Sequence, residues 1–290
     1  MSLRLKLIIL FLAVTLIPLF LVSTLTFHNY KNSLKAVRLS SLQDIAADKA
    51  DKIESYFSGL KNHIQTTQSF YNIKKNLPIL TRLFDDPNSP EWIAAKKMLD
   101  GQIQPMQQVL ELTDIMLADR QGKIVYTSNP EHYTRDYARP LNDLQPKAFE
   151  EGKDSIYISD IFLNKTDQSR PSMLITAPAL DFDWVFIGEV IFEVDITAVY
   201  KIILDVTGLG KTGEILVGRK EGSLVVFLTP LKFDTQTSLH RKVDIGQKAG
   251  YPIQQAVQGK TGSGVSVDYR SREVIAAWRY ISALNWGMVA

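Results

Sequence analysis

A chain of 290 residues that is 45% hydrophobic can bury two modest cores, and its 33 basic and 31 acidic side chains, net +2, are too balanced to mark a polyanion-binding surface. Nucleic acid is therefore not expected as a partner. Zero cysteines exclude disulfides, thiolate metal sites and a cysteine nucleophile.

Leu7 to Phe27 carries no charged side chain. At helical rise it covers roughly 30 Å, the thickness of a bilayer core. The competing reading is a cleaved signal peptide with Arg4 and Lys6 as its basic region. Such a peptide has an apolar core of only about 7 to 15 residues, and Val22-Ser-Thr-Leu-Thr-Phe27 offers no small-residue cleavage pattern. A retained transmembrane helix over 7–27 is expected, mildly kinked at Pro18. Arg4 and Lys6 make residues 1–6 a cytoplasmic tail. The chain is thus a single-pass protein of the inner (plasma) membrane, extracytoplasmic after about residue 28.

From Ser33 to Phe70 there is no proline and no glycine except Gly59, and apolar residues recur at Leu34, Val37, Ile45, Ile53, Tyr56, Leu60 and Ile64. This spacing predicts a long stalk helix over 30–70, reaching roughly 57 Å from the bilayer. Such a helix can pair with its twin as a homodimer, although the stripe is too irregular to prove a coiled coil. A monomer is equally acceptable. The turn Asp85-Asp-Pro-Asn-Ser-Pro90 precedes a helix expected over Trp92 to Leu112, interrupted by Gly101 and Pro105.

Two later stretches read as one module written twice. Asp114 to Tyr126 and Glu214 to Phe227 are each a strand, a turn at Gly122 or Gly222, and a second strand. In the same order follow Pro146 to Gly152 and Pro252 to Gly259, each a short helix closed by glycine. Then Ser169-Arg170 and Ser271-Arg272 each stand ahead of two apolar strands. A polar, aromatic-rich loop fills Thr127 to Pro146, and Ile196 to Val206 has a helical pattern. A repeat of about 90 residues suits tandem domains rather than a solenoid. The fold class is α+β: each module is an antiparallel sheet with helices, of PAS-like layering.

The order of these features resembles the double Cache family of extracytoplasmic sensors. The motifs carrying the resemblance are Ala118-Asp-Arg-Gln-Gly122, Ala177-Pro178, Ile187 to Asp195, Thr207 to Glu214, Gly262-Ser-Gly264, Asp268-Tyr269 and Trp286-Gly287. The resemblance implies a membrane-distal Cache module over 71–195, a connecting helix over 196–206 and a membrane-proximal module over 207–290. It also implies that the chain stops short of a second transmembrane helix and an output domain. The function it implies is ligand sensing for a transmembrane receptor, most readily a sensor histidine kinase of a two-component system. A chemoreceptor, diguanylate cyclase or phosphatase input, or an anchored binding module without output, are the alternatives.

Amino-acid-binding members carry Arg-x-Trp-Tyr, then Tyr-x-Asp, then an acid on the last strand. Here stand Tyr133-Thr-Arg135-Asp-Tyr137, Tyr157-Ile-Ser-Asp160, and Glu193 or Asp195, without the tryptophan. By role, Arg135 or Arg139 would hold a ligand carboxylate, Tyr133, Tyr137 and Tyr157 would form walls, and Asp160 with Glu193 would receive an amine or hydroxyl. Each of these side chains also has an ordinary reading as a solvated loop residue or surface pair.

Other motifs carry less. Asp205 to Thr212 comes one residue short of a phosphate loop and is followed by a strand pattern rather than a helix. His28, His63, His132 and His240 show no ligand spacing, so no metal is expected, and no cofactor. No strained nucleophile turn marks a hydrolase, and the chain itself is not expected to be an enzyme. Tyr251, Asp268, Tyr269, Arg270, Trp278 and Trp286 are expected to build the core and rim of the second module rather than a pocket.

Overall fold

The computed structural model describes residues 3–164, 170–234 and 241–290. Ser169 of the repeated Ser-Arg pair and His240 lie outside the described residues. The chain divides into two compact units, Met1–Ala50 with Val206–Tyr280 and Asn285–Ala290, and Asp51–Asp205 with Ile281–Leu284.

Helix α1 (Leu3–Thr67) is unbroken, so the separate apolar and stalk helices read from the sequence are one element. Residues 28–33 contain neither glycine nor proline, and nothing there interrupts the backbone ladder. Its apolar first part has a window of mean hydropathy 2.3 with none of its described residues buried, long and apolar enough to cross a membrane. The predicted stripe is buried only in its second half: Ile53, Leu60 and Ile64 are buried with Phe57, whereas Leu34 and Val37 are exposed. The helix ends three residues earlier than predicted, at Thr67, whose hydroxyl turns back to the His63 carbonyl. Phe70 instead caps α2 (Tyr71–Arg82).

Helix α3 (Pro90–Val109) starts at a Ser89 cap whose Oγ accepts from the Trp92 backbone N–H. It runs through Gly101 and Pro105 without the expected interruption. Trp92, Ala95, Leu99 and Ile103 are buried on one face, and this packing outweighs the local cost of glycine and proline.

The first sheet uses β1 (Asp114–Ala118), β2 (Ile124–Thr127), β3 (Tyr157–Ile158), β4 (Phe162–Asn164), β5 (Arg170–Leu180) and β6 (Phe186–Asp195). Its order is β2-β1-β6-β5-β3, with β4 also on β5. Between β1 and β2, Asp119 Oδ1 accepts from the N–H groups of Gln121 and Lys123, and Gly122 supplies the left-handed φ of 79° that closes the turn. The segment predicted as loop carries a 3-10 turn (Pro130–His132) and the short helices α4 (Tyr133–Asp136) and α5 (Leu141–Leu144), followed by α6 (Ala148–Gly152). Helices this short are below the length at which periodicity can be read.

Register assigns the two faces of this sheet. Asp114, Met116 and Ala118 of β1 stand opposite Glu193, Ile191 and Glu189 of β6, and Leu174 and Thr176 of β5 stand opposite Glu193 and Ile191. These residues share one face, on which Met116, Ala118, Leu174 and Ile191 pack with Leu141, Leu144 and Ala148 from α5 and α6. On the other face, Gly188 lets strand and helix approach: a Cβ there would stand 2.0 Å from the Ala118 carbonyl oxygen and 3.1 Å from Leu77 of α2.

Helix α7 (Thr197–Leu204) is shorter than the predicted 196–206 and opens on Asp195 Oδ1, which accepts from the Thr197 N–H. The second sheet uses β7 (Leu216–Glu221), β8 (Leu224–Phe227), β9 (Lys242–Asp244), β10 (Gly262–Val267), β11 (Glu273–Ile281) and β12 (Trp286–Val289), with α8 (Tyr251–Ala256) packed on it. Its order β10-β11-β12-β7-β8-β9 repeats the plan of the first sheet, in which the opening hairpin pairs with the last strand. No helix follows Lys211-Thr212; the chain passes instead to β7, consistent with rejecting the phosphate loop.

Candidate functional site

The α5/α6-covered face of the first sheet carries a buried polar cluster. Asp114 opens β1 with no exposure; its Oδ1 accepts from the Ser128 N–H and hydroxyl at 2.9 Å each and from the Asn129 N–H at 3.1 Å. Its Oδ2 lies 3.2 Å from His132 Nδ1. Arg135, on the single turn of α4, donates from Nη2 to Glu193 Oε2 at 2.8 Å and from Nε to Asp136 Oδ2 at 2.6 Å. Arg139 reaches Asp136 Oδ1 at 3.4 Å from a position one-third exposed.

His132 Nδ1 also lies 2.8 Å from Arg135 Nη2, and one ring nitrogen cannot donate to Asp114 while accepting from Arg135. Around that nitrogen stand three carboxylates, Asp114 at 3.2 Å, Glu193 at 3.8 Å and Asp136 at 3.9 Å, against a single guanidinium. Burial alone would lower the imidazole pKa. The hydrogen bond to Asp114 and the surrounding negative charge outweigh it, so the pKa is raised; a ring protonated at Nδ1 donates to Asp114, and one unprotonated there accepts from Arg135. The Arg135 guanidinium is likewise held charged against burial, first by Asp136 and then by Glu193.

Asp114, His132 and Asp136 bring one ligand atom each within 4.8 Å of one another, a grouping that could hold a metal ion. The sequence reading missed it because it compared His132 only with other histidines, whereas its partners are acids from β1 and α4. In this structure Arg135 already supplies the positive charge between Asp136 and Glu193.

The predicted residues fall into two groups. Arg135, Arg139 and Glu193 come together, and Tyr133 and Tyr137 stack at 4.6 Å between ring centroids, with Tyr137 also stacked on Phe84 at 5.1 Å. Burial, then Tyr133, raises the Tyr137 pKa, keeping its phenol neutral. Tyr157 is not part of this group. It opens β3 opposite Thr176, on the same sheet face but two strands across from Glu193. Asp160 follows β3, exposed, its carbonyl accepting from Gln145 Nε2 and Ser159 Oγ.

Glu189 lies on the same face, four residues before Glu193 and fully buried, and among the described residues neither carboxyl oxygen has a hydrogen-bond partner. Burial, reinforced by Glu150, pushes its pKa up to about 9, so it is a neutral acid at pH 7. Gly152 permits this packing: a Cβ there would meet Thr176 Oγ1 at 2.1 Å and Glu189 Oε2 at 2.9 Å. In a strand reading Glu-Val-Ile-Phe-Glu, only the alternation with Ile191 could have hinted that Glu189 points inward with Glu193.

The second module holds a cavity of about 490 Å³, within the range of small-molecule sites. Leu216, Phe227, Ile253, Ala276 and Val289 are among its walls, with Asp268, Tyr269 and Arg270 at its edge. This corrects part of the expectation for that module. Tyr269 and Trp286 are buried as predicted, but Asp268, Tyr269 and Arg270 line a cavity rather than only a core and rim.

An apolar helix of membrane-spanning length followed by two antiparallel sheets on one strand plan defines a sensor-domain architecture. The chain belongs to the Cache domain family: residues 30–290 match the double Cache model. The family comprises extracytoplasmic sensor domains rather than catalytic ones. No curated protein matches the chain. Among solved structures it is similar to the sensory domain of the Campylobacter jejuni chemoreceptor Tlp3 with isoleucine bound, at TM-score 0.58 and 12% identity over 89% of this chain and 94% of that one. It is also similar to the sensor domain of the V. cholerae histidine kinase DctB, at TM-score 0.54 and 13% identity over 89% and 96%. A third such structure is the ligand-binding domain of Mlp24 with asparagine, at TM-score 0.55 and 14% identity over 89% and 94%. At these identities the likeness is one of fold.

Proposed function

We propose that this chain is the extracytoplasmic input region of a transmembrane receptor, a sensor histidine kinase, and that it binds a small carboxylate or amine compound on the α5/α6-covered face of its first module. The reading rests above all on the pairing of Arg135 with Glu193: a guanidinium and a carboxylate meet on the sheet face, and Arg135 stands in the chain between Tyr133 and Tyr137, which stack on each other. A ligand carboxylate would take the place of Glu193 on Arg135, and the released Glu193 would receive a ligand amine. Arg139 would add charge, while Tyr157 and Asp160, at the far side of the sheet, would contact only a larger ligand or act after the loop over α4 moves. Sensor domains of the same fold bind isoleucine in Tlp3 and asparagine in Mlp24, which supports a small zwitterionic ligand class.

The output follows from linkage. A ligand shifts the module between two arrangements only as far as its affinities for them differ; a 100-fold difference supplies about 2.7 kcal/mol. Helix α1 would carry that shift to the membrane, where the chain is anchored, with pairing of two α1 helices as the route to a dimer. A chemoreceptor output is the second reading, favoured by the Tlp3 likeness.

The test is thermal-shift screening of the full chain in lipid nanodiscs against amino acids, carboxylates and amines. A stabilising compound should lose its effect in Arg135→Lys, which keeps the charge but not the two-nitrogen fork, and keep it in Trp278→Ala in the second module. Loss in Trp278→Ala with retention in Arg135→Lys would overturn the placement. For the output, a kinase sequence read in frame after residue 290 supports the histidine kinase, and a methyl-accepting sequence overturns it in favour of the chemoreceptor.

A further inference from the structure

We propose a second ligand site, the 490 Å³ cavity of the second module, built for a small organic anion with an apolar body and walled by the same helix that enters the apolar segment. Its floor is the inward side of the second sheet: Leu216 on β7, Phe227 on β8, Ala276 on β11 and Val289 on β12, with Ile253 of α8. An apolar floor of this kind rewards a hydrocarbon or aromatic body by removing it from water.

The charge at the rim selects the other end of the ligand. Of the acids in the lining, two are already satisfied. Asp268 Oδ1 accepts from the N–H groups of Arg270 and Arg272, and its Oδ2 accepts from Arg270 Nε at 2.8 Å. Glu214 Oε2 accepts from the Lys232 N–H at 3.0 Å and the Tyr269 hydroxyl at 3.3 Å. Arg270 is in turn spent on Asp268 and on the face of Phe233, 3.8 Å from its centroid. What remains are two cations, Arg38 and Lys211, neither with a carboxylate partner among the described residues, and one exposed acid, Glu273. The balance left for a ligand is positive.

Two of these features lie on elements packed against each other. Arg38, Ser41 and Leu42 belong to α1, and Lys211 sits on the loop through Gly208, Gly210 and Gly213. That loop is packed on the helix: Gly208 has φ 84°, and a Cβ there would stand 3.1 Å from Ile45 Cδ1. An anion held between Arg38 and Lys211 therefore bears directly on α1, without any step through the first module. The cavity is a second input to the same helix.

The probes are benzoate and hexanoate, with benzylamine and hexylamine as their cationic counterparts, titrated calorimetrically into the full chain in nanodiscs of neutral lipid. Saturable binding of the carboxylates is expected, weakened about tenfold or more in Arg38→Glu/Lys211→Glu and unchanged in Arg135→Lys. Ala276→Phe, which fills the cavity floor, should abolish it; because that variant could unfold the module, the exposed double charge reversal is the deciding one. The proposal is overturned by no saturable carboxylate binding, by amines binding as well as the acids, or by binding that survives the charge reversal. Carboxylate binding lost in Arg135→Lys instead would assign the ligand to the first module and leave this cavity without one.

Discussion

On the sheet face of the first module, Asp114, His132, Arg135, Asp136 and Glu193 are all at or below 10% side-chain exposure and answer one another's charge. The same strands of the second module instead floor a cavity of about 490 Å³, with Arg38 and Lys211, which have no carboxylate partner among the described residues, exposed at the rim. One strand plan thus carries a packed polar cluster in one module and a cavity in the other. In the first, the residues proposed for recognition are also structural, so a ligand would have to compete with internal ion pairs. In the second, the floor holds the fold and the rim is free to vary.

The largest effect expected from this contrast is at Arg135. Removing its charge in Arg135→Met takes the Arg135 cation from two buried carboxylates, Glu193 and Asp136, and leaves Asp136 with Arg139 at 3.4 Å, a loss of about 3 kcal/mol. It should appear as lost hydrogen-exchange protection in β1 and β6 of the full chain. Arg38→Glu and Lys211→Glu should change protection of β7 and β12 by no more than about 0.5 kcal/mol, as exposed positions do. A cost under about 1 kcal/mol at Arg135, or a large one at Lys211, would erase the distinction between a structural and a free site.

The glycines sharpen it next. Gly152→Ala drives a Cβ into Thr176 Oγ1 at 2.1 Å and should destabilise the first module by about 2 kcal/mol, visible as a lower midpoint on heating. At Gly210, beside the cavity, a Cβ meets nothing within 4 Å, and only the φ of 73° is unfavourable. Gly210→Ala should cost about 1 kcal/mol.

Glu189 has no counterpart at the rim of the cavity. Its folded pKa of about 9 lies above the ordinary value of 4.5, so the stability it allows is complete below pH 4.5 and is lost as pH rises toward 9. Glu189→Gln, isosteric and never charged, should therefore stabilise the first module by about 2 kcal/mol at pH 8 and by nothing near pH 4. Equal stability of the two proteins across that range, followed by thermal unfolding, would mean that the carboxyl is solvated.

Much of this was legible in the sequence because it depends on local pattern. The hairpins at Gly122 and Gly222, the short helices before Lys153 and Lys260, and the run Leu7 to Phe27 all follow from turn chemistry and hydropathy within a dozen residues. The continuity of α1 was not legible, because the change of composition near residue 28 alters what surrounds the helix without altering its backbone. Within the site, Arg135 and Glu193 were chosen by type and order. Their partners were not, because Asp114, His132 and Asp136 reach the same point through β1–β6 register and a single turn of α4. Tyr157 and Asp160 failed to join them for the same reason: adjacency of motifs in sequence does not say how many strands separate them. The cavity was missed because aromatic residues alternating on a strand look the same whether the space they face is filled or open.

The smallest expected effect tests the assignment of charge inside the cluster, and it is best measured in the Glu189→Gln background, where that second titration is gone. His132 faces Asp114, Asp136 and Glu193, with Arg135 2.8 Å away as the opposing cation in contact with its ring. Its folded pKa is raised above 6.5, so its contribution is full below pH 6.5 and fades as pH rises through the folded value. Relative to His132→Gln, the first module should lose stability between pH 6 and pH 9, read from thermal midpoints across that series. The opposite slope would mean that Nδ1 is unprotonated and accepts from Arg135, leaving Asp114 held by Ser128 and Asn129 alone. In that case Arg135 would donate to His132 as well as to Asp136 and Glu193, and a ligand carboxylate would have to displace more to bind it.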